Sequence, residues 1–134
     1  MTPPQDDTER AIEHMVRLFY ERGLADPVLA PIFNAAIQDW EEHIALVSDF
    51  WSGMIHGTQR YRGNAYAPHA RLAFDPEAFA HWLTAFEGAA VAALAPDDAA
   101  KAVRIARQMA ESFKVGLFPF TGADGRPSRR PAGN

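Results

Sequence analysis

Four stretches of this 134-residue chain repeat their large apolar residues every three or four positions, and no stretch of useful length alternates them at every second position. That restricts the chain to helices packed on helices, because only a 3.6-residue period gathers such residues on one face. Ile12, Met15, Val16, Phe19 and Tyr20 form the first stripe, behind Asp6 or Asp7 as the expected cap and before Gly23 as the expected stop. Asp26 and Pro27 read as a cap and a first helical residue, but Pro31 should keep Val28, Leu29, Ile32 and Phe33 to a short connector. Asp39, with Glu42 three residues on, resembles a capping box; the helix it opens carries His43, Val47, Phe50, Trp51 and Met54 and closes at Gly57. Asp75 and Pro76 precede a stripe of Phe79, Trp82, Leu83 and Phe86 that ends near Leu94. Pro96, Asp97 and Asp98 open the last helix, with Val103, Ala106, Met109, Ala110, Phe113 and Leu117 inside, and Lys101, Arg104, Arg107 and Lys114 on or beside the outer face. Pro119 ends it. The class is all-α.

A chain of this length makes one domain that buries roughly two thirds of its unfolded surface. The reading places that domain at 1–120 and a mobile C-terminal tail at 121–134, where apolar periodicity stops. Cysteine is absent, so disulfides, zinc thiolates and thiolate nucleophiles are out of reach and any metal is held by imidazole or carboxylate. A formal charge of −4 argues against nucleic acid and against an anionic membrane surface. The acidic, polar N-terminus and the lack of a long apolar run make a cytoplasmic protein the plain expectation.

The chemistry centres on Tyr61 to Trp82, where His69 lies between proline and small or apolar residues with no acidic neighbour. A backbone carbonyl commonly satisfies such a histidine; the alternative is a large apolar cofactor bound through one axial nitrogen. Tyr20, His43 and Trp82 add polar atoms to faces expected to point inward, each costing about 1–3 kcal/mol if left without a partner. No Glu-x-x-His pair precedes any histidine, which removes a ferritin-like di-iron site, and no phosphate loop, zinc-protease motif or nucleophile elbow occurs. His14, His56 and His81 read as solvated. The segment from Thr58 to Pro68 is expected to be irregular, with a short helix at most from His69 to Leu72.

The order LFYERG, APIFNAAI, DWEEHIALVSDFW, YRGNAYAPHARL, FAHWLTAF resembles the truncated haemoglobins, and within them the third, or P, group. The resemblance runs from about residue 10 to about residue 118. The paired glycines typical of the first two groups are missing, as is common in the third. The resemblance implies a truncated globin fold, a two-over-two helical sandwich, around haem b (iron protoporphyrin IX). It implies His69 as the proximal metal ligand and Tyr20, His43 and Trp82 as distal ligand-binding residues. Phe33 then packs on the porphyrin, Val47, Phe50, Trp51, Met54 and Phe79 line or support the pocket, and Tyr61 and Arg62 are propionate candidates beside Arg60 and Arg71.

The function so implied is reversible binding of oxygen, nitric oxide or carbon monoxide at a site opposite a proximal histidine. A second reading is nitric oxide dioxygenation or peroxidase-like chemistry, needing an external reductase that this chain does not supply. A third, from a different class, is a cofactor-free helical interaction module, which leaves Tyr20, His43 and His69 unexplained. The expected state is a monomer or weak dimer.

Overall fold

Ile12, Met15, Val16, Phe19 and Tyr20 are each 8% exposed or less, so the first stripe of the sequence is the innermost surface of the molecule. In the computed structural model, which describes residues 4–61, 76–118, 120–121 and 127–128, this stripe belongs to α1, Pro4–Leu24. The helix starts ahead of Asp6 and Asp7, with proline at its first position, where no intrahelical N–H is needed. Asp7 therefore sits in the first turn, where a carboxylate favours the positive end of the helix dipole. Gly23 is inside the helix rather than at its stop. A Cβ there would run into the Phe33 ring, so the glycine is a close approach between α1 and the next element.

That element is a full helix, α2, Leu29–Ala36, and not merely a connector. Asp26 Oδ1 accepts from the N–H groups of Val28 (2.7 Å) and Leu29 (3.2 Å), capping the start as its sequence position suggested. Pro31 is the third residue of α2, still among the positions whose N–H has no partner inside a helix, so it does not cut the helix short. α3, Trp40–His56, is capped as expected: Asp39 accepts from the Glu42 N–H at 3.1 Å, and Gly57 takes the left-handed conformation at φ 74°.

α4 spans Ala78–Ala93 and α5 spans Pro96–Leu117. The Pro76 carbonyl accepts from the Phe79 N–H at 3.1 Å, while Asp75 lies outside the described residues. Pro96 again occupies the first turn, followed by Asp97 and Asp98. Phe120–Thr121 pairs antiparallel with Pro127–Ser128, and the rest of the 121–134 tail lies outside the described residues.

The helices pack as two over two. α1 lies with α3, α4 lies with α5, and the layers meet chiefly where α1 crosses α4 and also where α3 meets α5. Small residues explain the α4–α5 contact: Ala85, Ala89 and Ala90 are buried with Ala99, Ala102, Ala106 and Ala110, so the two backbones approach closely. Phe86, 1% exposed, fills the centre between the layers. Lys101 departs from its expected outer position. Its Nζ donates to the Ile55 carbonyl at 2.8 Å and covers an open end of α3, a favourable place for a cation. Among the described residues no helix is long and apolar enough to cross a membrane.

Candidate distal pocket

Tyr20 and His43 are brought together from α1 and α3, with Tyr20 Oη and His43 Nε2 2.6 Å apart. Burial raises the tyrosine pKa, so its hydroxyl keeps the proton. A hydroxyl can give or take such a bond, so the His43 tautomer sets its direction. The Tyr20 ring meets the edges of Phe19 (4.8 Å), Phe33 (5.2 Å) and Trp40 (5.3 Å), so the polar pair sits within an aromatic wall. Packing of this kind fixes the ring and aims the hydroxyl.

Trp82 approaches the same wall from α4. Its ring is 5.9 Å from Phe19 and stacks on Phe86 at 5.6 Å and 11°. Phe86 stacks in turn on Trp51 at 4.5 Å and 26°, so α3, the central phenylalanine and Trp82 form one continuous stack. Trp82 is half-buried, and its indole N–H makes no hydrogen bond to a described residue.

The apolar stripe of α3 divides in two. Ile44, Trp51, Ser52 and Ile55 turn into the core, whereas Val47 and Phe50 are half-buried and Met54 is 41% exposed. Leu46, 50% exposed, extends the open half. His43, Val47, Phe50 and Met54 lie at helical spacing on one side, so an apolar strip begins at the Tyr20–His43 pair and runs along α3. Tyr61 places its ring edge against Phe50 at 5.3 Å, and Phe33 stands at the other end against Phe19 and Tyr20. Phe79 meets Phe118 at 6.2 Å. His69, Arg62 and Arg71 lie outside the described residues.

A haem requires one axial imidazole, a broad apolar surface and, on the gas side, a few placed donors. The strip on α3 offers such a surface, with Tyr20 and His43 at its head, and Trp82 packs on Phe19, whose ring also meets Tyr20. Among the described residues no three His, Asp or Glu side chains converge to hold a metal ion directly. The donor set fits a metal carried in a macrocycle.

Other residues are sorted by their partners. His81 is not simply solvated: its Nδ1 lies 2.8 Å from Asp26 Oδ2, and this hydrogen bond, followed by those from Val28 and Leu29, lowers the Asp26 pKa. His14 and His56 are exposed, with His56 Nε2 3.7 Å from Asp98. Arg60 is engaged by Glu9 at 2.8 Å and by Asp49 at 3.1 Å. Trp40, Phe19 and Phe86 were not among the sequence-derived site residues. Trp40 had a signal, since W-x-x-H places it one turn from His43 on the same face.

No family model matches the chain. It is 38% identical over 84 residues to the group 3 truncated haemoglobin ctb of Campylobacter jejuni, an alignment covering 59% of this chain and 66% of that protein, just under two thirds of its length. A crystal structure of group III truncated haemoglobin from Campylobacter jejuni superposes with a TM-score of 0.73 at 33% identity, covering 78% of this chain and 87% of that one. The sequence motifs, the two-over-two packing and these two likenesses agree: the chain belongs to the group 3 truncated haemoglobins, a membership that implies haem.

Proposed function

We propose that the chain binds haem b through His69 and holds a diatomic gas, oxygen first among them, on the side of Tyr20, His43 and Trp82. The observation that carries this reading is the 2.6 Å Tyr20–His43 hydrogen bond at the head of an open apolar strip. The haem, when bound, supplies an iron that takes a gas in its sixth position. The chain does the rest. Trp82 offers an indole N–H, and Tyr20 offers a hydroxyl that His43 engages until a better acceptor arrives. A bound ligand that gains negative charge is such an acceptor, and hydrogen bonds to charged groups are roughly twice as strong as neutral ones. Val47, Phe50 and Phe33 keep water off, which strengthens these bonds further.

His43 acts as a gate in this reading. It is half-buried at the first turn of α3, and swinging it outward breaks its hydrogen bond to Tyr20 and opens a way past that residue. Loss of the gate should therefore speed gas association more than it changes dissociation.

The test is substitution of the proposed axial ligand. His69→Ala should lose haem or retain it loosely enough that added imidazole restores the spectrum, while His56→Ala and His81→Ala leave the spectrum as it was. A native spectrum in His69→Ala would assign the iron to another residue.

A further inference from the structure

We propose that Ser52 is the hub of a positioning device that holds the chain leading to His69 against α1 and α3. It rests on the reading of His69 as the axial ligand. Ser52 is fully buried, and its one hydroxyl has three partners: Glu9 Oε1 at 2.6 Å, Thr58 Oγ1 at 2.7 Å and Arg60 Nη2 at 2.9 Å. The chemistry of the partners assigns every proton. A carboxylate only accepts, so Ser52 donates to Glu9; a guanidinium only donates, so Arg60 occupies one lone pair; Thr58 must then donate to the other. The hydroxyl is saturated, with one proton given and two received.

The network points beyond the helices. Two of its members, Thr58 and Arg60, belong to the stretch after Gly57, where the left-handed turn ends α3. Arg60 is held from both sides, its Nη2 2.8 Å from Glu9 Oε2 on α1 and its Nε 3.1 Å from Asp49 Oδ1 on α3. The next residue, Tyr61, meets Phe50 on the apolar strip, so the clamp sits one residue before the chain touches the candidate haem surface. His69 follows Arg60 by nine residues. If helix packing were the only demand, an alanine would satisfy a fully buried position between α1 and α3 without any desolvation to offset. Ser52 is a positioning residue: it touches neither haem nor gas, and it acts through Arg60 and the segment that Arg60 anchors.

The experiment uses the haem-loaded protein and three readouts: haem transfer to an excess of apomyoglobin, the iron–histidine stretching band of the ferrous form, and the carbon monoxide stretching bands, which report the distal side. Ser52→Ala and Arg60→Met each remove three hydrogen bonds of the network, one of them shared, so each should speed haem transfer by at least about threefold, the lower end for a single lost bond. Each should also broaden or shift the iron–histidine band while leaving the carbon monoxide bands unchanged. The double variant should fall short of the product of the singles, because the two residues share a bond. Tyr20→Phe should do the reverse, moving the carbon monoxide bands and sparing the iron–histidine band. Native transfer rates and a native iron–histidine band in both single variants would overturn the proposal while the haem reading stands. Should Ser52→Ala fail to fold, Arg60→Met, altering a half-exposed side chain, decides between the two outcomes by itself. A wild-type protein with haem but no iron–histidine band would instead sink the axial-ligand reading, and the positioning proposal with it.

Discussion

Removing each distal donor in turn should rank Trp82 above Tyr20 in retaining oxygen, an order that follows from which donor is already engaged. The Trp82 N–H makes no hydrogen bond to a described residue, so a charged ligand oxygen receives its full net contribution, about 1.5–3 kcal/mol. The Tyr20 hydroxyl is already engaged by His43 at 2.6 Å. Turning it to the ligand gives up a neutral hydrogen bond of about 0.5–1.5 kcal/mol, leaving a net gain on the order of 0.5–2 kcal/mol. Trp82→Phe should therefore accelerate oxygen loss roughly tenfold to hundredfold, and Tyr20→Phe only about two- to thirtyfold. His43→Ala frees the Tyr20 hydroxyl, so it should leave oxygen dissociation unchanged or slow it while speeding association. Carbon monoxide gains less charge on binding, and its loss should change little in any of the three. Stopped-flow dissociation of both gases from the three variants decides the matter. A larger oxygen effect from Tyr20→Phe than from Trp82→Phe, or equal acceleration for both gases, would refute the reasoning.

Stability carries other signatures of the same residues. Burial raises the Tyr20 pKa, so its contribution is complete below about pH 10 and is lost above it, at about 1.4 kcal/mol per pH unit, as the unfolded chain ionises first. Urea unfolding of Tyr20→Phe across that range should show a shallower alkaline decline than the parent. Asp26 has the opposite sign: its lowered pKa, due first to His81, stabilises above the ordinary aspartate range and is lost as pH falls through the native value. Acid titration of Asp26→Asn, followed by circular dichroism, should lack that part of the acid slope. Phe86→Ala, at the centre of the Trp51–Phe86–Trp82 stack, should cost about 3–5 kcal/mol in urea unfolding, and a loss under 1 kcal/mol would contradict the packing described.

Local chemistry made much of the fold readable before any coordinates. The α1 stripe, the Asp39 cap, the Gly57 turn and the Pro96 start all depend on residues within one or two helical turns, and all stand where the sequence placed them. The misreadings came from residues whose roles are set by distant partners. Gly23 looks like a stop from its neighbours alone, yet it is inside α1 because Phe33, ten residues on, needs the space. Lys101 looks like a surface cation until α3 ends beneath it with an open carbonyl. His81 looks solvated until the turn between α1 and α2 brings Asp26 to it. On α3 the periodicity announced an apolar face, but its division into a core half and an open half depends on where α1 lies. In the candidate pocket, the family motif named Tyr20, His43 and Trp82; that Tyr20 pairs with His43 follows only from their geometry. The Ser52 network left no trace in periodicity, since it joins residues as far apart as Glu9 and Arg60.

The central claim is that this chain carries haem, and the absorption spectrum of the purified, haem-reconstituted protein tests it most directly. Recorded oxidised, reduced and reduced under carbon monoxide, the spectrum should show a strong Soret band that shifts with each change of state and sharpens with carbon monoxide. Free-haem absorption in all three, removed by gel filtration and unresponsive to carbon monoxide, would contradict the account.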